Sequence, residues 1–193
     1  MSTTSWNSLL REQLTWHWTH QLRPRLDGLT DDEYRWEPVP GAWNVRPRGT
    51  STAPVAGGSG AFTIDWAWPP PEPAPVTTIA WRLGHVIVGC LGARNAAHFA
   101  GPPADYFSWD YPGTAAGALA QLDAGIETWL AGVAALGEGG LARPCGPAEG
   151  PFADQPMATL VLHIHRELIH HGAEIALLRD LYAHRRPTHQ QED

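Results

Sequence analysis

Leu10, Leu14, Trp18 and Leu22 recur at four-residue spacing, with Trp6 one step before them, and predict a first helix from about Trp6 to Leu26. Pro24 near its end predicts a kink or an early stop. Gly28-Leu29-Thr30-Asp31-Asp32-Glu33 reads as a turn that feeds a short helical piece. A second helix starts near Thr77 or Thr78, either of which can cap it. It runs through Ile79, Trp81, Leu83, His85, Val86, Val88 and Leu91 to about Phe99, where Gly101-Pro102-Pro103 stops it. A third, from about Thr114 to Leu136, carries Leu119, Leu122, Ile126, Trp129, Leu130 and Val133 on one side. The fourth runs from about Gln155 to Ala183, with Pro156 in its first turn, where proline is tolerated.

The periodicity lapses between these segments. Pro38, Pro40, Gly41, Gly57-Gly58 and Pro69-Pro70-Pro71 forbid a long helix over residues 38–76. A loop of this length inside one domain is uncommon and usually functional or mobile. Phe62-Thr63-Ile64-Asp65-Trp66-Ala67-Trp68 alternates in part and suits a short strand. Residues 137–150 form another Gly/Pro loop, and the polar tail after Arg186 is expected to fray. Four long helices without a strong strand pattern predict an all-α fold, a four-helix bundle that makes one domain of residues 1–193. The irregular segment between the first two helices is expected to pack over one end or one side.

Composition narrows the functions. At 193 residues and 43% hydrophobic residues the chain can bury a sizeable core. Its ten tryptophans outnumber its four phenylalanines, so the core holds large rings whose N–H groups need partners. The formal charge is −7, and the thirteen basic residues are all Arg, without a basic stripe. Nucleic-acid affinity rests mainly on phosphate neutralisation, so such a partner is not expected. Met1 to Leu10 lacks the apolar stretch of a signal peptide, and no apolar run approaches the ~20 residues of a membrane span. A cytoplasmic protein whose two cysteines, Cys90 and Cys145, are reduced and structural is the expectation.

The informative text lies in the fourth helix, His163-Ile164-His165-Arg166-Glu167-Leu168-Ile169-His170-His171-Gly172-Ala173-Glu174-Ile175. Counted at alternating steps of three and four, Leu160, Ile164, Glu167, His171, Glu174 and Leu178 fall on one face. Apolar residues hold the ends of that stripe and ionisable ones its middle. An unpaired buried carboxylate is strongly disfavoured, but a divalent cation reverses the cost by requiring a carboxylate and a neutral imidazole. Glu167 and His171, at i and i+4, can share one ion. A third ligand must come from another helix, and His85, amid apolar residues beside Gly84, is the choice. A hydrogen-bonded core histidine is the plainer reading of His85, and a surface pair is the plainer reading of Glu167 and His171. His170 is the rival of His171, while His163 and His165 are expected to be exposed or to support the ligands from behind.

These residues resemble the DinB-like superfamily of four-helix-bundle metalloproteins, which includes thiol-dependent transferases. His85 matches the family's helix-two histidine. Glu167 and His171 look like the Glu-x-x-x-His form found in its mycothiol-dependent maleylpyruvate isomerase branch, in place of the more common His-x-x-x-His. The segment around Trp43, the stretch Thr77 to His85 and the stretch His170 to Ile175 look like further family motifs. The departures are that Glu167 and the long Gly/Pro insertion from Gly49 to Pro75, which bears on the mouth of the site.

The resemblance implies a metal ion, zinc first with nickel or iron as alternatives, held by His85, Glu167 and His171 and oriented by His163 or His170. It implies a low-molecular-weight thiol of the mycothiol type, bound as a metal thiolate that attacks an electrophile in S-transfer, conjugation or isomerisation. Arg82 and Arg166 are candidates for carboxylates of thiol or substrate. Two alternatives use the same ligands: a hydrolase with a metal-activated water, and a non-enzymatic metal-binding stress protein. A homodimer is compatible with all three. At physiological salt we expect no binding to duplex DNA; a micromolar or tighter complex with a steep salt slope in a fluorescence titration would refute this.

Overall fold

The computed structural model describes residues 5–185. Ser5 accepts a hydrogen bond from the Ser8 backbone N–H and starts α1, which runs as an α-helix over Trp6–His17, a π-helical stretch over Trp18–Leu22 and a last turn over Arg23–Arg25. The short helical piece that the turn text predicts is α2, Asp31–Tyr34, and Thr30 caps it. Thr78 caps α3 by accepting from Trp81 N–H. That element is α-helical over Ile79–Gly84, π-helical over His85–Gly92 and α-helical again over Ala93–His98. Thr114 caps α4, Ala115–Leu141, in which Gly137 (φ 58°, ψ −173°) breaks the helix where the apolar period ends at Leu136. A short 3-10 turn, Pro147–Phe152, precedes α5, Met157–Ala183. The expectation for the tail after Arg186 falls outside the described residues. No helix among the described residues is long and apolar enough to cross a membrane.

The chain is mostly helical, and it also contains a small sheet that an all-α fold leaves out. Strands β1 (Val45–Pro47), β2 (Val55–Gly57) and β3 (Phe62–Trp66) form an antiparallel sheet in the order β1-β3-β2. Val45 pairs with Ile64 and Val55 with Trp66. Only the β3 stretch alternates over enough residues to be read from sequence; three-residue strands carry no period, and pairing alone defines them.

The sheet is fastened to the start of α3. Trp81 Nε1 donates to the Asp65 carbonyl at 2.8 Å, and Thr78 Oγ1 donates to Asn44 Oδ1 at 2.9 Å. The buried Asp65 carboxylate accepts from Asn44 N–H (2.9 Å), Arg46 Nε (2.8 Å) and Ser51 Oγ (2.6 Å). A charge this deep is tolerable because every lone pair that faces the protein is used. Trp43 bridges to Thr77 in parallel, so the segment after the first helix is clipped to the second.

Helix α5 packs against α1, α3 and α4, and its buried face is wider than one stripe. Leu160, Ile164 and His171 are buried in one row, and Val161, His165, Leu168, Gly172 and Ile175 in a second. His165, expected to be exposed or to support the ligands, is instead 1% exposed. It packs edge to face on Trp129 with centroids 6.3 Å apart, and neither ring nitrogen has a hydrogen-bond partner among the described residues. A helix between neighbours buries two adjacent rows, and a three-four count follows only one of them.

Burial pulls the His165 pKa down to about 4, so the folded protein holds this ring neutral. The unfolded chain takes up the proton near pH 6.5, and the folded one does not until about pH 4. Stability is therefore unaffected by this group above pH 6.5 and falls by about 3 kcal/mol between those limits. In His165→Leu the slope over this window should flatten by that amount. Stability at pH 7 should also rise by about 1–2 kcal/mol, because two unpartnered polar atoms are gone. Urea melts across the pH range check both, and a less stable variant with the parent slope contradicts the argument.

Candidate metal centre

The same physics that makes His85 a cost in an apolar helix places it against α5. Ile79, Leu83, Val86 and Leu91 are buried around it, so the helix turns this face to the interior. On α5 the stripe puts Glu167 and His171 opposite. The structure brings the three together: one ligand atom from each of His85, Glu167 and His171 lies within 4.8 Å of the others. The His85 and His171 rings meet edge to face with centroids 4.7 Å apart, and His171 Nε2 is 3.4 Å from Glu167 Oε2.

Each imidazole has its second nitrogen engaged. His85 Nδ1 is 2.6 Å from Tyr106 Oη, and His171 Nδ1 is 2.6 Å from Glu174 Oε2. That leaves Nε2 of both rings for the shared space. Burial, with His171 and Arg82 nearby, lowers the His85 pKa to about 4, so the ring is neutral at pH 7. Two neutral imidazoles and one carboxylate are the protonation states that a divalent ion requires, and the residues fit such an ion.

His170, His171 and Glu174 form a second compact group. Its Glu174 Oε2, however, already accepts from Arg82 Nη1 at 3.0 Å. A fixed guanidinium beside the same oxygen repels a cation, so the first group is the better site.

The supporting histidines of the sequence reading sit at the rim. His163, 41% exposed in its side chain, lies 3.5 Å from Glu167 Oε1 and accepts from Arg166 at 2.5 Å. His170, 62% exposed, lies 3.5 Å from Glu174. Neither is hydrogen-bonded to His85 or His171. The Nδ1 atoms of those rings are instead engaged by Tyr106, from the loop before α4, and by Glu174, with Arg82 Nη1 also 3.4 Å from His171 Nδ1. Glu174 stands on the predicted stripe and could have been found there, whereas nothing in the local pattern marks Tyr106.

Cys90 stands beside His85, a neighbour that its spacing in an α-helix does not indicate. An α-helix turns residues i and i+5 well apart, but the π-helical stretch His85–Gly92 has a wider turn, and Cys90 Sγ lies 3.7 Å from His85 Nε2. Burial, reinforced by Glu167, pushes its thiol up to about 12, so it is protonated. Cys145 is buried and free near the start of α5, with Sγ 3.5 Å from the Pro156 carbonyl. One wall of the site is aromatic: Trp81 stacks on His85 at 5.6 Å, Trp66 on Trp81 at 6.0 Å, and Tyr106 leans on Trp66 at 4.8 Å. Through Trp66 the Gly49 to Pro75 segment reaches the site.

The family model of the DinB superfamily matches residues 63–175, from β3 through the His171 turn of α5. The chain belongs to the DinB superfamily. No curated protein and no solved structure matches it. DinB membership agrees with a metal-binding protein, and the matched residues contain both halves of the cluster.

As a DinB protein the metal-replete chain should carry about one divalent ion, bound with two imidazoles and one carboxylate. Glu167→Ala and His171→Ala should abolish tight binding in a chelator competition, while His165→Leu, on the Trp129 side of α5, should retain it. Elemental analysis that finds no stoichiometric metal, or parent-like binding by Glu167→Ala, refutes the assignment.

Proposed function

We propose that the chain is a single-domain DinB-type four-helix bundle that holds a divalent ion, zinc first, through His85, Glu167 and His171. We further propose that it transfers a small thiol of the mycothiol type to an electrophile. The observation that carries this reading is the one-sided donor set: three donors from two helices, converging within 4.8 Å, leave part of an ion's coordination sphere free for a ligand from outside. When bound, the ion would supply the Lewis acidity that ionises a thiol at neutral pH. With two neutral imidazoles and one carboxylate the site keeps a net positive charge near one unit, which favours an anionic fourth group.

The chain's own residues define the rest. The rings of Trp81, Trp66 and Tyr106 keep water from one side of His85, so charges at the site interact in a poorly screened space. Of the two arginines, Arg82 is committed to Glu174. Arg166, 69% exposed and 3.6 Å from Glu167, is the one that remains for a carboxylate of the thiol or the electrophile. In this reading the protein is cytoplasmic, works on small molecules as a monomer or homodimer, and has no nucleic-acid or membrane partner.

Cobalt-loaded protein titrated with mycothiol should develop a sulfur-to-metal charge-transfer band, and His85→Ala should remove it. If no thiol perturbs the cobalt spectrum while an ester or amide is hydrolysed without one, the transferase reading fails and the metal-water hydrolase replaces it. A full metal site with neither response leaves a non-enzymatic metal-binding protein.

A further inference from the structure

The two imidazoles of the candidate centre are held in different ways. His171 Nδ1 lies 2.6 Å from Glu174 Oε2, and the same oxygen accepts from Arg82 Nη1 at 3.0 Å. Arg82 stands on α3, one turn before His85, so Arg82, Glu174 and His171 make a brace across the two helices. His85 Nδ1 lies 2.6 Å from Tyr106 Oη, a neutral phenol from the loop that follows α3.

The Tyr106 contact is built in from several sides. A Cβ on Gly89 would come within 2.0 Å of Tyr106 Oη and 3.4 Å of His85 Nδ1, so only glycine leaves room for the hydroxyl against this turn. Gly89 lies in the middle of a helical element, where glycine costs about 1 kcal/mol relative to alanine. The tyrosine backbone is fixed as well. Tyr111 Oη donates to the Tyr106 carbonyl at 3.1 Å, and a Cβ on Gly57 would come within 2.6 Å of that oxygen. Stacking on Trp66 holds the ring.

We infer that Tyr106 and Glu174 are positioning residues of the metal centre. They accept the Nδ1–H protons of His85 and His171 and so turn Nε2 of both rings toward Glu167, with Gly89 present to admit the tyrosine and Arg82 to hold the glutamate. With its proton fixed on Nδ1, an imidazole presents a lone pair only at Nε2, in one ring orientation. A free ring can rotate or change tautomer, and it loses that ordering on binding. A carboxylate holds one ring and a neutral phenol the other, so the two histidines are unequally supported ligands.

This inference rests on the metal reading of His85, Glu167 and His171, and cobalt(II) alone is the probe. Parent, Tyr106→Phe, Glu174→Gln and Gly89→Ala proteins are titrated with cobalt against a chelator and examined by proton NMR. In the parent, two exchangeable, strongly shifted N–H resonances should mark two histidines bound through Nε2. Tyr106→Phe should weaken binding roughly tenfold to a hundredfold and broaden or abolish one resonance by solvent exchange. Glu174→Gln should do the same to the other resonance, and Glu174→Asp should restore part of the affinity. Gly89→Ala should reproduce the Tyr106→Phe spectrum by displacing the hydroxyl, and it serves as the test should Tyr106→Phe fold poorly. Metal-free melting curves separate these effects from general destabilisation. If the parent binds cobalt and the variants bind within twofold of it with both resonances intact, the inference is overturned while the metal reading stands. If the parent binds no cobalt, both fall.

Discussion

The His85 ring meets the His171 ring edge to face at 4.7 Å, and Glu167 closes the same small space. Two imidazoles and a carboxylate packed this closely against apolar neighbours are costly unless their polar atoms find partners. Nδ1 of each ring finds a partner outside the triangle, and Nε2 of each ring with the carboxylate faces inward. The fold around them keeps α3 and α5 at the separation this needs. Ile64 and Tyr111 lie close over Gly84, and a Leu22 methyl carbon would be 2.7 Å from a Cβ on Gly172. Glycines flank both histidine turns, and the neighbouring elements come in close.

The sheet and the loops serve that separation. Asp65 is the hinge of the arrangement: its carbonyl takes the Trp81 indole N–H, and its carboxylate gathers Asn44, Arg46 and Ser51. A segment read from sequence as irregular thus becomes a brace for the helix that carries His85. It also delivers Trp66 to the aromatic wall. The π-helical stretch of α3 widens the turn, exposes different positions to α5 and brings Cys90 Sγ to 3.7 Å from His85 Nε2. π-turns are unfavourable in isolation and recur at functional sites, in keeping with their position here.

Two of the chain's cationic groups bound the site without entering it. Arg82 is tied to Glu174 within the brace. Arg94 donates to the Gly89 carbonyl at 2.8 Å and pairs with the buried Glu149 at 3.3 Å, which links the 3-10 turn before α5 to the far end of α3. His98 contacts the same carboxylate at 2.9 Å. These contacts anchor the loop between α4 and α5, whose glycines at 146 and 150 have positive φ, so backbone freedom there is matched by side-chain pairing.

The sequence alone determined the four long helical segments, a cap for the second of them at Thr77 or Thr78, and the stripe that joins Glu167, His171 and Glu174. These follow from local rules: a period near 3.6, a capping hydroxyl, a proline or glycine that stops a helix. It also marked His85 as the histidine on α3 opposite that stripe. Only the tertiary structure decided the rest. The three-stranded sheet depends on pairing between residues too few to show a period. The burial of His165 depends on α4 covering a second row of α5. The places of Tyr106 and Cys90 depend on a loop folding back and on a wider helical turn, and neither leaves a trace in the spacing of hydrophobic residues. A one-dimensional pattern records which face of an element is apolar; it does not record which neighbour covers that face, and the partners of the two imidazoles are set by the neighbours.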